Sequence, residues 1–268
     1  MTELAQTREL SPLEQLADQP VEREYLLDDD AVLEFVARGY LQIDTQTSPA
    51  LLAEIDSKLS SLTNNPGDGV LDAVPEIREI YAHPAVRGAL VSLLGDDMQM
   101  HTHRHCHTRK PQPFSHLWHT DCEPNDRGRT ELRVLLAMCY PHDVDLSMGP
   151  TVIVPGTHLR SAPNPMFATY GNIRGQMPVI CKAGTVTFTH TNIWHGVGPN
   201  RSPRDRHMLK FLFRRTSDPT SPSWRHTPES ADERADKLLR EQTTPQCAAD
   251  ARGLLALRTK MWNYLRGE

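Results

Sequence analysis

From Met98 onward the chain breaks into short alternating or β-branched segments, each closed by turn residues, and this pattern limits the fold more than any other feature. Leu132–Cys139 (Leu-Arg-Val-Leu-Leu-Ala-Met-Cys) is a mostly apolar segment of the length of a buried strand. Thr151-Val-Ile-Val154 sits between the turns Met148-Gly149-Pro150 and Pro155-Gly156-Thr157-His158. Gly184–His190 and Met208–Phe213 complete the set. β-Branched runs bounded by Gly and Pro read as strands. Met98–Arg109 alternates strictly, with His101, His103, His105 and His107 on one side and Thr102, Arg104, Cys106 and Thr108 on the other. Strand-spaced histidines fan out and rarely converge on one ion without outside ligands, so this segment is expected to be the polar face of a strand lining a cavity.

Helical patterns flank this region. Asp28-Asp29-Asp30 supplies a cap ahead of Val32, Leu33, Phe35 and Val36, and Gly39 stops that helix before the strand Tyr40–Ile43. A second helix is expected from Ser48-Pro49 and a third from Pro84 to Gly95, with Asn64–Gly69 a loop. The tail holds a proline-rich loop, 216–228, containing Trp224, and then helices near 229–242 and 246–266. The expected architecture is mainly β with flanking helices. Residues 1–22 read as a polar, flexible arm and 23–268 as a single domain.

Composition excludes several functions. A net charge of −5 gives no electrostatic case for nucleic acid or an anionic membrane. No apolar run approaches the roughly 18 residues of a membrane span. Five scattered cysteines without a Cys-x-x-Cys pair argue for a reducing compartment, and with no secretory signal visible a cytoplasmic location is expected.

The chemistry centres on Leu117-Trp118-His119-Thr120-Asp121. In extended backbone His119 and Asp121 share a face. His195, at the start of a Gly-Val-Gly-Pro turn after a strand, can close a triangle with them. Two histidines and a carboxylate form the facial triad of non-haem Fe(II) sites. Arg206 follows His195 by eleven residues, adjoining the last strand. Its guanidinium can fork onto a carboxylate as lysine cannot, which suits anchoring the far end of an acidic co-substrate. Arg201 and Arg204 read as solvated turn residues.

His119-Thr-Asp121, Met148–His158, Ala183–Phe188 and His195–Arg206, in this order, resemble the phytanoyl-CoA dioxygenase family. Gly39-Tyr40-Leu41 and Leu93-Leu94-Gly95 extend the resemblance over about residues 28–215. It implies a double-stranded β-helix (jelly-roll, cupin-like) core, with Fe(II) held by His119, Asp121 and His195 and the 2-oxoglutarate C5 carboxylate held by Arg206. O2 would be the second co-substrate. The implied reaction is hydroxylation of an unactivated C–H bond in a small molecule, such as a secondary-metabolite tailoring step. Asp121 occupies the position that related halogenases leave open for chloride, which disfavours halogenation. Val197 stands where the family often has a small or hydroxylic residue. Two other readings remain: a triad-metal oxidase or isomerase that does not use 2-oxoglutarate, and a non-catalytic jelly-roll binding protein. The excursion 160–178 and the Trp224 loop are expected to cover the substrate. The C-terminal helices are expected to pack on the core or form a dimer contact, in a monomer or homodimer without nucleic-acid or membrane partners.

Overall fold

The first helix, α1 (Asp29–Arg38), begins where the sequence places its cap. The Asp28 carboxylate accepts from the Ala31 amide at 3.0 Å, and Gly39 ends the helix in the left-handed region at φ 78°. Gly39 is required twice over, because a Cβ there would lie 2.3 Å from Nδ1 of the buried His158. The chain then enters β1 (Tyr40–Asp44), α2 (Pro49–Ser61), two short helices, α3 (Val70–Ala73) and α4 (Ile77–Ala82), and α5 (Pro84–Leu94). The expected loop at 64–69 holds a 3-10 turn, Gly67–Gly69. This computed structural model describes residues 20–121, 129–240 and 248–268. Most of the expected N-terminal arm, Cys122, Cys247 and the first residues of the last expected helix lie outside them.

Eight further strands follow: β2 (Gln99–Arg109), β3 (His116–His119), β4 (Val134–Cys139), β5 (Thr151–Ile153), β6 (Met177–Pro178), β7 (Thr185–His190), β8 (His195–Val197) and β9 (Arg206–Arg214). They pair antiparallel into a five-stranded sheet, β1-β7-β4-β9-β2, and a four-stranded sheet, β3-β8-β5-β6. The fold is mainly β with flanking helices, as expected, and the two sheets form the jelly roll.

Strand β4 explains its own sequence. Leu135, Ala137 and Cys139 join the core between the large sheet and the helices, whereas Leu136, Met138 and Tyr140 face the space between the sheets. A strand buried on both faces needs apolar side chains at every position, which removes alternation. Strand β9 divides similarly. Leu209, Phe211 and Phe213 enter the helix-side core, so the even positions from Arg206 to Leu212 face the interior of the roll.

The C-terminal helices, α6 (Pro228–Leu239) and α7 (Ala248–Arg266), pack through Leu239, Leu254, Met261, Trp262 and Leu265 into that helix-side core. Arg258, 2% exposed, ties α7 to the body by donating to the Leu239 and Ala37 carbonyls at 2.7 and 3.0 Å. The Trp224 loop departs from expectation. Trp224 is buried against Trp262, and its Nε1 donates to Asp29 Oδ1 at 2.7 Å, while the Thr227 amide donates to Asp29 Oδ2 at 2.8 Å. The loop therefore docks on the N-terminus of α1, on the opposite side of the large sheet from the interior of the roll, and covers no substrate there. Among the described residues no helix is long and apolar enough to cross a membrane.

Candidate active site

Strand β3 ends at His119, so Asp121 lies in the bend just beyond it and not in the strand itself. Two ties hold the bend in shape. The Asp121 amide donates to the Thr191 carbonyl at 3.0 Å. The amide and hydroxyl of Thr120 both donate to Asn164 Oδ1, at 2.8 and 3.0 Å. His195 likewise sits on a short strand of its own, β8, and is the direct cross-strand partner of His119. The imidazole centroids are 4.1 Å apart.

These elements bring one ligand atom each from His119, Asp121 and His195 within 4.8 Å of one another. Each histidine is oriented alike. Nδ1 of His119 lies 2.9 Å from the Leu117 carbonyl, and Nδ1 of His195 lies 3.0 Å from the Ile193 carbonyl. A proton held on Nδ1 leaves Nε2 as the ring's acceptor nitrogen, the arrangement typical of metal-bound histidine. Burial pushes His195 down to about 4, with Asp121 opposing, so the ring is neutral at physiological pH.

Asp121 is arranged for one remaining bond. Its Oδ1 accepts from Lys210 Nζ at 2.5 Å, whereas its Oδ2, 3.7 Å from His195 Nε2, is buried with no hydrogen-bond partner among the described residues. Burial raises the carboxyl's pKa, but His195, Lys210 and His119 more than offset this and hold it below the usual carboxylate value. A buried anionic oxygen without a partner is costly, and a cation at the triangle's centre would satisfy it. The donor set fits a divalent metal.

Arg206 opens β9 with its side chain in the same cavity, which has a volume of about 230 Å³. It is 1% exposed, and neither Nε nor Nη1 has a hydrogen-bond partner among the described residues. The guanidinium lies over the ring of the buried Tyr140, 5.5 Å from its centroid, and Tyr140 Oη donates to Thr151 Oγ1 at 2.9 Å. A buried arginine without an anion is expensive, so this one is placed for an anion that enters the cavity. Val197 also lines the cavity.

The structure resolves the register of β2. Arg109 pairs with Arg206 and His107 with Met208, and both His107 and Arg109 line the cavity. Arg104 and Cys106 are buried on the other face. The histidine side is thus the cavity side. Sequence reasoning missed Lys210, Tyr140 and Asn164. Lys210 had a signal: it is the one charge within the apolar run Met208–Phe213 and shares the parity of Arg206.

A jelly roll with two histidines and a carboxylate converging at one end is the architecture of facial-triad metalloproteins. The chain belongs to the phytanoyl-CoA dioxygenase family, whose model matches residues 62–208. It is also 33% identical over 69 residues to the uncharacterized protein Rv1501 of Mycobacterium tuberculosis. That alignment covers 25% of this chain and 24% of the relative, so the match spans about a quarter of each protein. Among solved structures, HygX of Streptomyces hygroscopicus superposes with a TM-score of 0.59 at 15% identity, covering 71% of this chain and 87% of that one. The α-ketoglutarate-dependent epimerase SnoN from nogalamycin biosynthesis gives 0.54 at 16%, covering 70% and 82%. The carbocyclase SnoK from the same biosynthesis gives 0.55 at 17%, covering 80% and 93%. HygX has also been solved with nickel and 2-oxoglutarate bound.

Proposed function

We propose that this chain is an Fe(II)- and 2-oxoglutarate-dependent oxygenase acting on a small molecule. The observation that carries the reading is a pair of unsatisfied buried groups: Asp121 Oδ2 at one corner of the ligand triangle, and the Arg206 guanidinium on the wall of the cavity that His119 and His195 also line. One group wants a cation and the other a carboxylate. An Fe(II)–2-oxoglutarate pair supplies both. When bound, the iron and its co-substrates supply oxidation of a C–H bond coupled to decarboxylation of 2-oxoglutarate to succinate and CO2.

The protein's part is positioning. His119, Asp121 and His195 would hold the metal from one face, leaving the opposite positions to co-substrates. Lys210 holds Asp121 Oδ1, which leaves Oδ2 as the oxygen that would bind the metal. Arg206, its fork fixed over Tyr140, would receive the C5 carboxylate of 2-oxoglutarate. The segment 160–178, bonded to Thr120 through Asn164, covers the substrate and keeps water from the reacting carbon. Hydroxylation is the proposed outcome. The structurally similar SnoN and SnoK are an α-ketoglutarate-dependent epimerase and carbocyclase, so on this fold the fate of the substrate depends on how it is seated. The free thiols Cys106, Cys139 and Cys181 suit a reducing, cytoplasmic compartment.

The test is succinate release from 2-oxoglutarate across a panel of small molecules, with Asp121→Ala as control. Wild-type protein should release succinate and the variant none. Undiminished turnover in Asp121→Ala would sink the assignment, and wild-type turnover without any need for 2-oxoglutarate would favour the triad-metal oxidase reading.

A further inference from the structure

The histidine face of β2 carries a second cluster, outside the active-site cavity. In the β2–β9 ladder Met100 pairs with Phe213 and Arg104 with Phe211, so His101, Thr102 and His103 together stand opposite the single residue Leu212. Inserting two residues preserves the parity of the strand, and Met100 and Arg104 both stay buried. It also bends the strand outward, as bulges do, and re-aims the side chains within it. The His103 ring lies tilted against His105, with centroids 4.7 Å apart, and His105 likewise against His107, 4.3 Å apart.

The outside ligand that a strand of histidines lacks is supplied by Asp68, from the 3-10 turn Gly67–Gly69. Its Oδ1 lies 3.1 Å from His103 Nδ1 and accepts from the Arg104 amide at 3.1 Å, which fixes the carboxylate against the bulge. One ligand atom from each of Asp68, His103 and His105 lies within 4.8 Å of the others. We propose that Asp68, His103 and His105 form a second metal site, selective for a first-row divalent transition ion such as Zn²⁺ or Ni²⁺.

The chemistry supports that class. Two imidazoles and one carboxylate make a borderline donor set that suits Zn²⁺, Ni²⁺ or Fe²⁺ over the hard, all-oxygen preference of Ca²⁺ or Mg²⁺. Three protein ligands leave a further position for water. His105 Nε2 lies 2.6 Å from Nε2 of His107, which lines the active-site cavity. The cluster thus adjoins the cavity wall through the contact between His105 and His107.

A rival cluster, Asp56, His142 and His207, also has metal-ligand spacing. Its carboxylate already holds a permanent cation, whereas among the described residues no lysine or arginine side chain pairs with Asp68. Arg204 donates to Asp56 Oδ2 at 3.2 Å, His207 Nδ1 lies 2.9 Å from Asp56 Oδ1, and His142 Nε2 accepts from the His207 amide at 3.1 Å. It is a satisfied ion-pair network.

The experiment is equilibrium dialysis of the full chain against low-micromolar Zn²⁺, with elemental analysis of bound metal. Wild type should bind two equivalents. Asp68→Asn/His103→Gln, whose changes fall on exposed side chains, should bind one, with an unchanged unfolding midpoint. Asp121→Ala should keep the equivalent that the double variant loses, and the triple variant should bind none. The proposal is overturned if wild type binds a single equivalent that Asp121→Ala abolishes, or if Asp68→Asn/His103→Gln still binds two. Failure of the active-site reading would show separately, as an Asp121→Ala protein with undiminished metal content.

Discussion

Arg206 can be tested by a substitution with two opposite signatures. Arg206→Met keeps the length of the side chain and removes the charge. In the metal-free protein the guanidinium is 1% exposed, with Nε and Nη1 unbonded, and its visible compensation is the ring of Tyr140. Losing a cation–π contact of this kind costs about 0.5–2 kcal/mol. Removing unsatisfied buried donors regains about 1–3 kcal/mol. The variant should therefore unfold in denaturant within about 1 kcal/mol of wild type, or be more stable. Toward 2-oxoglutarate the balance reverses. A bidentate fork makes two charge-assisted hydrogen bonds at about 1.5–3 kcal/mol each. After the cost of desolvating the carboxylate, a loss of about 3–4 kcal/mol, or roughly a hundredfold to a thousandfold in Kd, is expected. Arg206→Lys keeps the charge without the fork and should fall between. The assay is anaerobic titration of Fe(II)-loaded protein with 2-oxoglutarate, following the charge-transfer absorption. If Arg206→Met binds 2-oxoglutarate as wild type does and instead loses several kcal/mol of stability, the arginine is structural and the reasoning fails.

Three other outcomes follow from the same geometry. Lys210→Met leaves Asp121 without the ammonium on Oδ1 and should cost the metal-free protein about 3 kcal/mol, a loss that Mn²⁺ should largely restore; an equal loss with and without metal would contradict this. Asn164→Ala removes the acceptor for both Thr120 donors and should weaken metal binding roughly tenfold, measured by titration, because the Asp121 bend loses its outer support. His190 is fully buried, and burial lowers its pKa from 6.5 to about 4; at about 1.4 kcal/mol per pH unit this is roughly 3 kcal/mol. The unfolded chain takes up the proton first, so this stability is intact above pH 6.5 and drains away as pH falls toward 4. Denaturant unfolding across that window should show a shallower pH slope in His190→Gln than in wild type.

What the sequence made legible was whatever depends on near neighbours. The cap at Asp28, the stop at Gly39 and the two-sided burial of Leu135–Cys139 are short-range facts written in residue type. His119, Asp121, His195 and Arg206 were findable because strand ends and turn residues bracket them; His119, His195 and Arg206 line one cavity, and Asp121 clusters with the two histidines. Partners far apart in the chain were not legible. Lys210 reaches Asp121 across 89 residues, and from the sequence its ammonium was one charge in an apolar strand. Trp224 sits among prolines and read as part of a substrate cover, but its anchor, Asp29, lies 195 residues earlier. The bulge at His101–His103 was hidden because two inserted residues leave the alternation intact.

The tie between Thr120 and Asn164 has a consequence for how such an enzyme could change its substrate. Residues 160–176 connect β5 to β6, and connecting segments tolerate change more readily than the strands they join, although Ala162 and Phe167 pack with Trp118 and Val154. Yet Asn164 is bolted to the residue between His119 and Asp121. A segment transplanted here from a relative would alter what the cavity admits, but only a graft that keeps a side-chain acceptor at position 164 would leave the metal ligands in register. On the proposed function, specificity and metal retention would thus be inherited together through one amide, and recombination at this locus would be constrained at that point.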